Sequence, residues 1–134
     1  MVSTDAPRFL SKVLWADAAS CLATGTLQLA GGAPLAGLLN LPAPLLAATG
    51  VFMLGYGAIA AWSATRRPAP RRLVGLFAIG NVGWALGCMA LLASGAVQPT
   101  LPGTAWVLAQ AAAVVVLAAL QWLGLRRRPV AAWA

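Results

Sequence analysis

Arg66-Arg67-Pro68-Ala69-Pro70-Arg71-Arg72 lies near the middle of the chain and decides its architecture. Two prolines and four arginines within this stretch stop a helix and have no place in hydrocarbon. The residues on either side therefore belong to different elements. The flanking stretches, 44–64 and 73–93, are apolar, and each is long enough to cross a bilayer core of about 30 Å. Further outward lie two more such stretches, 13–31 and 104–125. Arg8 and Lys12 precede the first of these, and Arg126, Arg127 and Arg128 follow the last. The other two connections, 31–43 and 94–103, carry no charge. If each apolar stretch crosses once, all 9 Lys and Arg residues fall on one side. That is the positive-inside pattern of short cytoplasmic loops. The expectation is an all-α, polytopic membrane protein: four transmembrane helices in an up-down bundle, with N- and C-termini cytoplasmic.

Composition agrees. The chain has 134 residues, of which 61% are hydrophobic and 8% charged. Soluble domains carry about a quarter charged residues. Four spans of about 20 residues consume nearly the whole length, which leaves one membrane domain over 1–134 and no soluble one. The net charge of +7 would point to nucleic acid in a soluble protein. Here the charge clusters at membrane borders, so nucleic acid is not an expected partner. Arg66, Arg67, Arg71, Arg72, Arg126, Arg127 and Arg128 are instead candidate contacts for anionic lipid headgroups. With no His and two Cys, Cys21 and Cys88, neither His-bound haem nor a metal cluster is expected. The two cysteines differ in expected height by roughly 10 Å, too far for a disulfide. Ala18-Ala19-Ser20-Cys21 resembles a lipoprotein cleavage site, but Asp17 within the would-be signal argues against processing.

The first helix is expected to begin in the interface near residue 6, after Ser3-Thr4-Asp5 and Pro7, and to end at Gly31-Gly32. The apolar segment 33–43 is too short to span and reads as an interfacial turn or short helix on the outer leaflet. Trp15, Trp62 and Trp122 fall near the cytoplasmic boundary and Trp106 near the outer one, forming an aromatic belt. Trp84 is the exception, at mid-helix.

Each span carries its polar residues on one stripe. Asp17, Ser20, Thr24 and Gln28 recur at helical spacing in the first. Tyr56 lies in the second with Thr49 and Ser63, Asn81 and Trp84 in the third, and Gln110 and Gln121 in the fourth. Depth counting places Asp17 level with Gln121, Tyr56 level with Asn81, and Gln28 level with Gln110. The stripes are expected to converge on a polar interior. Asn, Gln, Ser and Thr at such positions act as interhelical glue. Ala16-Ser20-Thr24 and Gly83-xxx-Gly87 fit a small-residue packing pattern. Asp17 is the only acid within the spans, so pairing with Arg71, Arg72 or Gln121, proton or cation coupling, and simple exposure at the interface are all open. No catalytic triad, metal set or phosphate loop emerges.

The residues Gly80-Asn81-Val82-Gly83-Trp84 and Gly103-Thr104-Ala105-Trp106-Val107-Leu108-Ala109-Gln110 carry a resemblance to small uncharacterised four-helix inner-membrane proteins of high-GC bacteria. It covers Leu73 to Arg128 and implies the bacterial inner membrane and the topology already derived. In size, helix number and an acid in the first helix, the chain is also similar to small multidrug transporters. Their acid is Glu, however, and Asp17 sits nearer the boundary. The expected function is a non-enzymatic membrane component, an accessory or scaffold subunit or a small oligomeric bundle, partnered by lipid and by a membrane protein or further copies of itself. Proton-coupled small-molecule transport through Asp17 is the alternative. An intramembrane enzyme acting on lipid or quinone is a third reading. No cofactor is expected.

Overall fold

The computed structural model describes residues 2–127, with side-chain surroundings from residue 8 onward. The calls on Arg128 and on the Ser3-Thr4-Asp5 cap side chains lie outside that description. Four helices follow one another: α1 (Val2–Leu39), α2 (Ala43–Thr65), α3 (Arg71–Ser94) and α4 (Leu101–Arg126). All four are long and apolar enough to cross a membrane.

The helices run further than the apolar stretches predict. α4 starts at Leu101 instead of 104: Thr100 caps it, its hydroxyl accepting from the Gly103 N–H at 3.2 Å, with a proline in the first turn. α3 takes in Arg71 and Arg72, with Pro70 as its N-cap. α1 starts at Val2 and not near residue 6; its first helical segment ends at Gly31-Gly32 as expected, and a second follows a break. At Gly32 the backbone turns to φ 50°, ψ −136°, a conformation that only glycine adopts readily. Beyond it, a short limb runs to Leu39.

That limb is a short helical segment, as expected of 33–43, and it is largely exposed up to Leu38, with its end tucked in. Leu39 and Leu41 are buried against Leu46 and Val107, although Leu38 stays exposed. Polar bonds fix this arrangement. The Thr100 N–H and hydroxyl donate to the carbonyls of Leu39 (3.1 Å) and Leu38 (2.7 Å), and the Asn40 amide donates to Gln98 O at 2.6 Å. The two uncharged connections thus form one joined cap.

α1 and α2 form a tight hairpin because their backbones meet at small residues. A Cβ on Gly25 would lie 2.7 Å from the Gly50 carbonyl oxygen. The small-residue pattern at Gly83 and Gly87 makes no such contact: both are exposed, with open space where a Cβ would stand. Ala16 is exposed as well, so the close-packed face of α1 is Ala18 and Gly25 rather than Ala16-Ser20-Thr24.

α3 pairs with α4, and α4 closes onto α1, whereas α2 and α3 scarcely touch along their backbones. Aromatic side chains fill that opening. Phe52 stacks on Trp84 with centroids 5.8 Å apart, and Tyr56 meets Phe77 edge-on at 5.0 Å. Such pairs add about 0.5–1.5 kcal/mol beyond the area they bury. The basic residues collect at the end shared by the start of α1, the α2–α3 linker and the end of α4. There Arg71 donates to the Leu125 carbonyl, Arg66 lies over Trp62, and Arg127 over Phe9.

Candidate functional site

The buried face of α1 reads Leu10, Val13, Leu14, Asp17, Ala18, Cys21, Gly25 and Gln28. These positions recur every three or four residues, so Asp17 occupies a core position between leucine below and cysteine above. Its side chain is 0% exposed. Each other helix sends one polar side chain to the same point. Asp17 Oδ2 accepts from Gln121 Nε2 at 2.6 Å, from Asn81 Nδ2 at 3.1 Å and from the Tyr56 hydroxyl at 3.2 Å. Asn81 donates its second amide hydrogen to Gln121 Oε1 at 3.1 Å. On the other carboxyl oxygen, the Cys21 thiol approaches to 3.7 Å.

Of the pairings open to Asp17, the structure realises the one with Gln121. Arg71 is turned to the Leu125 carbonyl and Arg72 is exposed. The donors gathered on the carboxyl group are all neutral. Hydrogen bonds to a charged acceptor contribute about 1.5–3 kcal/mol each, and losing one inside a low-dielectric bundle costs its full value.

Tyr56 has a single hydroxyl hydrogen and two acceptors within reach, Asp17 Oδ2 and the Phe77 carbonyl at 3.3 Å. The hydroxyl hydrogen is thus shared between a carboxyl oxygen of α1 and a backbone carbonyl of α3, which ties α2 to both.

The other predicted polar residues divide into a second layer and a side cavity. Gln28 Nε2 donates to Leu46 O (2.9 Å) and to the Thr49 hydroxyl (2.8 Å), tying α1 to α2. Trp84 Nε1 donates to Gln110 Oε1 at 3.2 Å, tying α3 to α4. Ser20 and Thr24 do not join the Asp17 network but line a cavity of about 210 Å³ beside α4. A smaller one of about 80 Å³ reaches Tyr56, Asn81 and Trp84 from the α2–α3 side. Cys21, Met53 and Val114 line both cavities and separate them.

Three participants escape the polar stripes. Phe52 bridges the α2–α3 opening by stacking on Trp84, and its spacing of four from Tyr56 is the only signal for it. Ser11 donates to the Ala64 carbonyl at 2.9 Å, below the expected start of the span. The indole N–H of Trp106 is buried without a partner, which no belt assignment foresees. Among the described residues, no three His, Cys, Asp or Glu gather as a metal set.

Comparison with known proteins gives no matching family model, no similar curated protein and no similar solved structure.

Proposed function

We propose that this chain is a multi-pass protein of the bacterial inner membrane, with both termini in the cytoplasm, and that it works as a non-enzymatic accessory or scaffold subunit or as a small oligomeric bundle. The orientation is supported by the collection of all described basic side chains at one end and by the uncharged cap at the other. Those arginines then lie at headgroup height, suited to anionic lipid. The scaffold role is carried by one observation: Asp17, the one acid among the residues whose surroundings are described, is engaged by one neutral donor from each of the other helices. Its polar chemistry is used to hold four helices together, and little is left over for turnover.

The test is purification from the native membrane in mild detergent, followed by mass measurement of the intact assembly. A second subunit at fixed ratio, or a defined homo-oligomer, supports the proposal. A monomer that moves protons when hydrophobic cations are added to reconstituted vesicles overturns it. That outcome would establish the second reading, proton-coupled transport through Asp17. The observation favouring transport is a carboxyl group fully buried within a span, with the Tyr56 hydroxyl against it.

A further inference from the structure

α3 and α4 leave a groove between them on the bundle surface, about 450 Å³ in volume and lined by Ala78, Ile79, Val82, Val115, Ala118 and Trp122. Ala78 and Ala118 are buried at its base, while Ile79, Val115 and Trp122 stand exposed along it. Ala119, also exposed, completes the lining. The alanines make the space, because a larger side chain at any of the three would fill it. Toward one end of the bundle the groove closes where Ala85 packs with Ala111 and Val114. Toward the other it runs to charge. On α3, Val82, Ala78, Gly75 and Arg71 recur at spacings of four, three and four, and on α4 Val115, Ala119, Trp122 and Arg126 do the same. Each groove face therefore ends on an arginine, and both arginines are exposed.

The geometry points to a site for one anionic phospholipid, with an acyl chain in the α3–α4 groove and the phosphate at Arg71 and Arg126. Length supports the chain. On either helix, eleven positions separate the arginine from the far end of the lining. That is about 16 Å of rise, or half of a hydrocarbon core roughly 30 Å thick. The groove is thus one leaflet deep, whereas a partner helix would need one along the whole span. Charge supports the headgroup. Asp17 is the one acid among residues 8–127 and is fully buried, so no carboxylate there competes for the two guanidinium groups. Arg71 donates to the Leu125 carbonyl, which holds it across from α3 to α4 at the mouth of the groove. A guanidinium has five N–H donors in a fork that suits a phosphate, so this bond leaves capacity for one. The site rests on the membrane reading proposed above, which sets the arginine end at headgroup height, and not on the scaffold role.

The experiment reconstitutes the full chain in liposomes of equal parts dioleoylphosphatidylglycerol and dioleoylphosphatidylcholine, which share their tails and differ in charge. The chain is then taken into mild detergent, and the lipids it retains are counted by native mass spectrometry. One phosphatidylglycerol per chain, favoured over phosphatidylcholine about tenfold or more, is expected. Arg126→Gln should cut that preference about fivefold. Arg66→Gln, at the end of α2 and away from the groove, should leave it unchanged. Ala119→Phe alters an exposed position and keeps every charge, yet it fills the groove and should abolish retention. Equal retention of the two lipids, an equal effect of Arg66→Gln and Arg126→Gln, or retention that survives Ala119→Phe would each overturn the site. So would a dimer that retains neither lipid, since a second copy would then cover the groove. Release of the chain from liposomes by an alkaline wash would overturn the membrane reading together with the site, whereas the other outcomes, in a chain that stays embedded, remove the site alone.

Discussion

Gln121 Nε2 lies 2.6 Å from Asp17 Oδ2, joining the first helix to the last across 104 residues of sequence. Neither side chain is accessible at all. The contact has a particular consequence, because Asp17 and Gln121 each also bond Asn81. The three form a closed triangle in which removing one corner breaks two bonds and leaves the other two residues joined by one. Cooperative networks of this kind fail as a unit, so single substitutions should not add.

Gln121→Leu removes a charge-assisted donor and leaves the Asn81 amide one acceptor short. The expected destabilisation is about 2–3 kcal/mol. Asp17→Asn retains an acceptor oxygen at similar size and relieves a buried charge, so it should cost less, about 1–2 kcal/mol. Reversible unfolding of both variants in mixed micelles ranks them. A larger loss for Asp17→Asn would show that the charge itself, rather than the bonding pattern, holds the bundle.

Trp84→Phe keeps the stack on Phe52 but deletes the N–H that Gln110 Oε1 accepts. Leaving that oxygen without its donor should cost about 1–3 kcal/mol. Trp122 is 60% exposed, and Trp122→Phe should change stability by less than about 0.5 kcal/mol. In a variant retaining Trp84 as its only tryptophan, fluorescence should resist iodide. Quenching by brominated lipid tails instead would place the indole on the lipid face and remove the second polar layer.

Glycines that look alike in sequence should behave oppositely. Gly25→Val pushes a branched side chain onto the Gly50 carbonyl and should cost about 1–3 kcal/mol through forced separation of α1 and α2. Gly83→Ala meets open space and should be neutral, or stabilising by up to about 1 kcal/mol from helix propensity. Thermal unfolding of the two purified variants decides. Destabilisation by Gly83→Ala of a concentration-dependent kind would instead reveal an interface between copies at that face.

Much of this was legible in the sequence, and the reason is physical. Depth along a helix is nearly a linear function of residue number, so the levels of Asp17 with Gln121 and of Tyr56 with Asn81 could be counted, and each pair meets in one network. Rotation about the axis is coarser. Ser20 and Thr24 share a stripe with Asp17 to within a helical step, yet that step turns them into a cavity instead of the network. The cap bonds between Thr100, Asn40 and the short limb of α1 depend on where two loops meet, which no single-helix pattern encodes. Gly83 and Gly87 match the small-residue motif and Gly25, with Cys21 and Leu29 at that spacing, does not, yet it is Gly25 that meets a neighbouring backbone. Which of them finds a partner depends on the opening between α2 and α3, a property of the whole bundle.

Orientation gives the last prediction. Lys and Arg resist passage across the membrane, and short loops are sorted by them while acids contribute little. A cytoplasmic reporter inserted between Arg67 and Arg71 should be active, whereas a periplasmic reporter should work only at 33–42 or 95–102. Moving charge should move topology. Replacing Arg66, Arg67, Arg71 and Arg72 by Asn, with two lysines placed in 95–99, should produce a mixed population with α3 and α4 inverted or uninserted. Asp17 would then lose Asn81 and Gln121 together, so this variant should also fall in abundance. Periplasmic activity from the unaltered 66–72 segment would reverse the assignment of sides and place the joined cap of Asn40 and Thr100 in the cytoplasm.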